Sequence, residues 1–425
     1  MYGLLKTIST QKVTKFLMLL LFFFGLFQIS WSSQDFKFEC VAPLRTPPPI
    51  KNSKYLFAGV ILRHGSRTPQ HAYLPMSNRG YWVCDSDDAI SPRMYSSLHS
   101  SHNSQSSHDS QSSHYSQSYR RFLKVIDPKL VEFLPNCRCG DLLIEGMEQH
   151  HRLGQLYHDY VYNTIKLFDE PPKTEEVYAR STDFERTFRS CQAFLHGAFP
   201  PQVPFEIFNI VHGSDFMEIL RPGSFCKEQN SASDWFYSDP SVLEYAKEQW
   251  KKIEHISKSL QLTFSVQNLS LLADWVYTYN CNNKQLPSFV TDNDIYTCHS
   301  ILAKLFARFF DGNGTAFASY SMREVMRVAK NSVNGEMKAK FGVFSAHDST
   351  VLSFLSYLDV KIEMLPPYAS HVLFEIFEID KEAYIRWAFN GEVIMLNKFG
   401  GKDMMLFKTF LEKTKDVYDV CNELP

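Results

Sequence analysis

The chain has 425 residues, enough to bury a substantial core, and its 44% apolar and 21% charged content excludes disorder over most of its length. A formal charge of -2 leaves no broad basic field, so no nucleic-acid partner is expected and any anion must be held by a few converging arginines. A small anionic group is the ligand that this balance favours.

In chain order, Lys6, Lys12 and Lys15 precede a run from Phe16 to Phe27 that is apolar except for Gly25, and Ser30, Ser32 and Ser33 follow. A spanning helix needs about 20 apolar residues, so residues 1–33 read as a signal peptide, with an uncleaved signal-anchor as the alternative. All nine cysteines lie downstream and would enter an oxidising compartment, where several are expected in disulfides. The odd number leaves at least one unpaired. Cys137 and Cys139 are too close for a zinc knuckle. Asn268-Leu-Ser and Asn313-Gly-Thr are glycosylation sequons.

The run Tyr55 to Leu62 is short, apolar and β-branched at Val60 and Ile61, which predicts a buried first strand. It ends in Arg63-His64-Gly65-Ser66-Arg67-Thr68-Pro69, where glycine permits a turn and proline stops a helix. Residues 96–118 collapse to Ser, His, Gln and Asn and read as a disordered insert. Its His99, His102, His108 and His114 offer a metal no fixed geometry. A helix is predicted from about Gly146 to Ile165, with Gln149, His150 and His151 facing solvent or packing structurally.

A short strand from Glu176 to Ala179 leads into Arg180, and Thr182 with Glu185 forms a predicted capping box. The helix behind it is expected to bury Phe184, Phe188, Cys191 and Leu195, with Cys191 a buried free thiol. From about 200 to 313 the pattern is mostly helical, notably Val242 to Leu260 and Thr291 to Phe310. A strand from Phe341 to Ser345 then ends in Ala346-His347-Asp348, and Val351, Phe354, Leu355 and Leu358 follow on one helical face. Two alternating strands, Val372 to Ile379 and Tyr384 to Phe389, precede a last helix near Leu406 to Val417. The expected fold is α/β: a mixed, mainly parallel central sheet flanked by helices, with an inserted, mostly helical subdomain. Polar motifs at the ends of buried strands are where such folds place ligands.

Leu62-Arg63-His64-Gly65-Ser66-Arg67-Thr68-Pro69 resembles the RHGxRxP signature of the histidine acid phosphatase family. Tyr178-Ala179-Arg180-Ser181-Thr182-Asp183 with Arg186-Thr187 resembles its second arginine block, and Ser345-Ala346-His347-Asp348-Ser349-Thr350 its HD block. The likeness extends from Tyr55 to Cys421, so the domain is taken as 55–425, with 96–118 as an insert and about 200–313 as a helical cap. Two departures stand out: Leu143 where members usually carry threonine, and His371 where acid phosphatases often carry a disulfide cysteine. The partner of that position looks like Cys281, which would then pair elsewhere; Cys298 is the candidate, with Cys226–Cys421 as a second bridge by resemblance.

The resemblance implies hydrolysis of phosphate monoesters at acidic pH through a phosphohistidine. His64 would attack phosphorus and Asp348 would protonate the leaving oxygen and later activate water. Arg63, Arg67 and Arg180 would hold the phosphoryl oxygens, and His347 would donate a further hydrogen bond, preferably as imidazolium. No metal or other cofactor is needed. The expected partner is a small-molecule or glycan phosphate monoester, and a homodimer is plausible by resemblance alone. The expected location is secreted or in the lumen of lysosome or endomembrane, or the Golgi membrane if the segment anchors.

Other roles compete for the same residues. Asp348 also suits a helix cap, Gly65 a simple turn, and Arg186, one turn inside its predicted helix, a structural salt bridge outside the site. A mutase of the same superfamily is disfavoured by the signal and the cysteines. A phytase would call for extra basic residues, which Gln70-His71-Ala72-Tyr73 does not supply. The ending Tyr418-Asp419-Val420-Cys421 is similar to a branch that removes phosphate from a glycan xylose. An inactive phospho-ligand binding protein would have lost His64 or Asp348, and both are present.

Overall fold

The computed structural model describes residues 39–74, 80, 82–84, 137–201, 207–213, 218–221, 226–361 and 363–421. The expected signal segment at 1–33 and the expected Ser/His insert at 96–118 lie outside them.

Strand β1 (Lys54–Arg63) occupies the middle of an eight-stranded mixed sheet. The other strands are β2 (Val177–Ser181), β3 (Ile210–Val211), β4 (Phe341–Ala346), β5 (His371–Ile379), β6 (Glu382–Phe389), β7 (Glu392–Val393) and β8 (Met404–Leu406). Their order is β3-β2-β4-β1-β5-β6-β7, with β8 also paired to β6. The first four in that order run parallel, and β5 to β8 are added antiparallel. β1 is apolar on both faces because both are covered: Phe57 and Ile61 enter one core, Ala58, Val60 and Leu62 the other.

On one face lie α1 (Ile144–Asp159), continued by a π-helical turn Tyr160–Thr164, and α2 (Glu185–Ala198). Helices α3 (Lys227–Ser238), α4 (Pro240–Lys252), α5 (Glu254–Ser259), α6 (Val266–Cys281) and α7 (Asp292–Phe310) build a separate core around Trp250, Trp275 and Ile301. The opposite face of the sheet is covered by α8 (Gly314–Val333), α9 (Asp348–Tyr357) and α10 (Phe407–Lys413), and the short α11 (Asp416–Asp419) packs on α8. Val351, Phe354, Leu355 and Leu358 are all buried, as their spacing predicts.

Three disulfides are present: Cys40–Cys281, Cys84–Cys137 and Cys226–Cys421. The expected Cys226–Cys421 bridge forms, but Cys281 takes Cys40 and not Cys298, which lies unpaired in the core of the α6 and α7 region. The reason is a contact distant in sequence. The N-terminal segment pairs with the loop before β5, where the Tyr368 N–H donates to the Cys40 carbonyl at 2.9 Å, and this carries Cys40 to the end of α6. Cys84–Cys137 joins the two ends of segment 85–136, and Cys191 is a buried free thiol, as expected.

The α1–α2 pair meets backbone to backbone. A Cβ on Gly154 would lie 2.2 Å from the Phe194 carbonyl oxygen, and one on Gly197 would lie 2.2 Å from that of His151. Gly154→Val therefore forces the helices apart and is expected to cost about 3 kcal/mol; urea unfolding of wild type and variant measures the difference.

Candidate active site

The parallel half of the sheet brings the sequence motifs to one edge. Leu62 pairs with Ser345 and Arg63 with Ala346, while Ser181 also pairs with Ser345, so β1, β2 and β4 end at the same level. The His64 N–H then donates to the Ala346 carbonyl at 3.0 Å and the Thr182 N–H to that of Ser345 at 3.1 Å. The imidazoles of His64 and His347 face each other edge-on with centroids 5.7 Å apart.

His64 is buried, and its Nδ1 lies 2.8 Å from the Gly65 carbonyl oxygen. A carbonyl only accepts, so Nδ1 carries the proton and Nε2 keeps a free lone pair. Burial, and then the charges of Arg186, Arg63 and Arg67 with His347, hold the imidazolium form well below the ordinary histidine range. These surroundings favour the neutral imidazole.

The loop carrying His64 is clamped by α1. Gly65 and Gly146 touch: a Cβ on Gly65 would lie 2.2 Å from the Gly146 carbonyl oxygen, so Gly65 serves a close approach as well as a turn. Gln149 Nε2 donates to Ser66 Oγ at 2.7 Å while its Oε1 accepts from the Ser66 N–H at 2.8 Å. His150, expected on a solvated or structural face, is fully buried, and its Nε2 donates to the Arg63 carbonyl at 2.9 Å. These two residues hold the backbone on either side of His64.

The arginines divide differently from the sequence expectation. Arg63 and Arg67 are buried beside His64. Arg63 Nη2 lies 3.0 Å from Asp348 Oδ2, Nη1 donates to the Pro366 carbonyl, and the guanidinium covers the Tyr368 ring at 4.5 Å. Arg67 is paired with Asp274 of α6 through contacts of 2.6 and 3.3 Å. Arg180, in contrast, is committed to Glu218 by two 3.2 Å contacts and lies 3.9 Å from Glu324. Strand alternation explains this: Arg180 shares a face of β2 with Tyr178, which donates to Glu324 at 2.6 Å, and points away from the face of Ser181.

Arg186 enters instead. The predicted capping box does not form; α2 starts at Glu185 behind Phe184, and the Thr182 hydroxyl turns to Thr187 Oγ1 at 2.7 Å and His347 Nε2 at 3.0 Å. The later start puts Arg186 in the first turn of α2, with Nη2 within 3.5 Å of His347 Nδ1. It also leaves Phe188 exposed, against expectation. Burial and the neighbouring Arg67 push the Arg186 guanidinium down to about 9, which keeps it cationic in acid. Among the described residues Arg186 has no carboxylate partner, and Nε of Arg63, Arg67 and Arg186 makes no hydrogen bond within the protein. Unpartnered cationic donors around one histidine are the fittings of an anion site.

His347 is likewise held well below the ordinary range by burial and by Arg186, Arg221, Arg67 and Arg63. These surroundings oppose the imidazolium form that the resemblance prefers for its hydrogen bond to phosphate. Asp348 follows it in the first turn of α9, where its Oδ1 accepts from the Ser349 N–H at 2.8 Å. The carboxylate thus faces Arg63 and fits the helix N-terminus at once. Asp274, Arg186 and Gln149 are the site residues missed from sequence, since their link to His64 depends on contacts across elements.

Arg186→Ala is expected to weaken binding of inorganic phosphate at least about tenfold, as loss of a charge-assisted hydrogen bond does. Arg180→Ala should change phosphate affinity little but cost about 3 kcal/mol by leaving Glu218 buried and unpaired. Calorimetric titration and denaturant unfolding of both variants separate the two roles.

Comparison with known proteins fits this geometry. Residues 56–390 match the histidine phosphatase superfamily, branch 2. Counting factor 60 of Dictyostelium discoideum is 27% identical, covering 87% of each chain. 2-Phosphoxylose phosphatase 1 of Xenopus tropicalis is 24% identical over 88% of this chain and 78% of its own. Human prostatic acid phosphatase is 25% identical over 60% of this chain and 69% of its own. The phytase of Citrobacter braakii shares the fold, with a TM-score of 0.55 at 11% identity over 86% of this chain and 98% of that one. The chain belongs to branch 2 of the histidine phosphatase superfamily, and it is a phosphatase acting on phosphate monoesters.

Proposed function

We propose that the reaction runs by two displacements on His64. A phosphate monoester repels nucleophiles, so its charge must be met by cations before attack. Arg63, Arg67 and Arg186 supply them, and the observation that carries the reading is the unpartnered, buried Nε of all three beside a neutral imidazole. His64 Nε2 forms a bond to phosphorus as the ester P–O bond breaks, and the leaving oxygen takes its electron pair and a proton from Asp348. Water then attacks phosphorus, gives its proton to Asp348, and the P–N bond breaks to free His64 and release phosphate. The Gly65 carbonyl, accepting from Nδ1–H, steadies the positive charge on the phosphorylated ring.

His347 has Nδ1 toward Arg186 and Nε2 on Thr182, so it donates to phosphate only after taking up a proton. The incoming dianion offsets the arginines that disfavour that proton. Low pH favours this proton. An acid optimum follows.

The substrate class is a small-molecule or glycan phosphate monoester; the relative named as a 2-phosphoxylose phosphatase supports the glycan side. Three disulfides support a secreted or lumenal location, and among the described residues no helix is long and apolar enough to cross a membrane. The lysine-flanked apolar run within 1–33 supports a signal peptide or a signal-anchor, the latter fitting the Golgi.

His64→Ala is expected to bring phosphate release from an aryl phosphate at pH 5, with EDTA present, to background. Asp348→Asn should slow an alkyl phosphate at least about 100-fold and p-nitrophenyl phosphate much less, because only the poor leaving group needs the proton. Phosphate-release assays on the two substrates check both.

The depressed His64 titration has a consequence for stability. The unfolded chain binds this proton below about pH 6.5 and the folded chain does not, so the contribution is lost as pH falls from there toward the folded value. Stability of the wild type should therefore fall by up to about 1.4 kcal/mol per pH unit more than that of His64→Gln between pH 6 and 4. Urea unfolding over that range measures the slope.

A further inference from the structure

Outside the residues that surround His64, two histidines meet where α1 touches α2. His151 of α1 and His196 of α2 are both half-buried, and their ring centroids lie 5.4 Å apart with the planes tilted by 39°. The backbone beneath them has no room to shift. Gly197, next to His196, packs so closely on His151 that a Cβ there would lie 2.2 Å from the His151 carbonyl oxygen. Two turns further along α1, His158 Nδ1 donates to the Ala198 carbonyl at 2.8 Å. The two rings are therefore presented to each other from a fixed helix pair.

Two imidazoles that share one zinc ion, through Zn–N bonds of about 2 Å at a tetrahedral angle, have their centroids about 5 Å apart. His151 and His196 stand close to that separation on a rigid backbone, so little reorganisation is needed to bind. Each ligand uses one ring nitrogen, and the other can keep a hydrogen bond. Burial and then His151 disfavour the charged form of His196, and the neutral imidazole is the form that coordinates a metal.

We propose that His151 and His196 bind one divalent late transition metal ion, of the zinc and copper class, and that the ion cross-links α1 to α2. Paired imidazoles suit zinc, copper and nickel and leave the remaining positions to water, whereas magnesium and calcium demand oxygen ligands. The ion takes no part in the reaction. It braces the frame of the site, because Gln149 and His150 of α1 hold the loop of His64 and Arg186 opens α2.

The test is thermal unfolding of the full chain in phosphate-free buffer at neutral pH, with zinc chloride, with magnesium chloride and with EDTA. Zinc should raise the midpoint of the wild type by at least about 2 °C over EDTA, magnesium should not, and His151→Gln and His196→Gln should each lose the zinc shift. No shift in the wild type overturns the proposal. A zinc shift kept in either variant also overturns it, and assigns the ion to other ligands such as the histidines of the Ser/His tract. Hydrogen exchange of the wild type decides the case even where a variant does not fold. Zinc should slow exchange of the amides around His151 and His196 at least threefold, and unchanged exchange there overturns the cross-link.

Discussion

Several cations buried around one neutral imidazole impose a condition that the rest of the molecule must meet. Like charges in a poorly screened interior repel strongly, and each guanidinium taken out of water needs a counter-charge. Arg63 has Asp348 at 3.0 Å and Arg67 has Asp274 at 2.6 Å, whereas Arg186 has no carboxylate among the described residues. Two of the three are neutralised within the protein, and the third is the cation that the proposed reaction gives to the substrate. The same positive surroundings oppose protonation of His64, so in the proposed reaction the field that draws the phosphate also preserves the nucleophile. In that reading binding and activation have one electrostatic origin.

Meeting that condition takes both parts of the fold. The parallel half of the sheet delivers His64, Thr182 and His347 to one level, and α9 delivers Asp348. The counter-charge for Arg67 comes from α6, in the helical region, and the ring beneath Arg63 comes from Tyr368 in the loop before β5. That loop is fastened in turn through Cys40, whose carbonyl accepts from Tyr368 and whose sulfur is bridged to Cys281 at the end of α6. The His371 departure is accommodated within this arrangement: its Nε2 lies 3.1 Å from the Arg45 carbonyl oxygen, so the N-terminal segment is held there by a hydrogen bond and nearby by the disulfide.

Where the sequence reading went astray, the cause was a small error in local geometry with a large effect on direction. Taking Thr182 as a helix cap starts α2 early and sends Arg186 a turn into the helix; the observed start at Glu185 turns it to His347. Reading Arg180 as a strand-end cation ignores that alternate residues of β2 face opposite layers, and its layer holds Glu218 and Glu324. Both arginines lie in one motif, and only the pairing of β2 with β4 decides which of them reaches the cleft.

The sequence by itself determined the α/β class, the buried strands before His64 and His347 and the buried thiol Cys191, and it named the nucleophile and acid candidates. These rest on local patterns: apolar runs, spacing, and motifs contiguous enough to recognise. Tertiary structure alone decided that Arg186 and not Arg180 faces His347, that Asp274 balances Arg67, and that Cys40 takes Cys281. Each joins residues far apart in the chain or on opposite faces of one element, and such contacts are fixed by packing and charge balance, which no local pattern encodes.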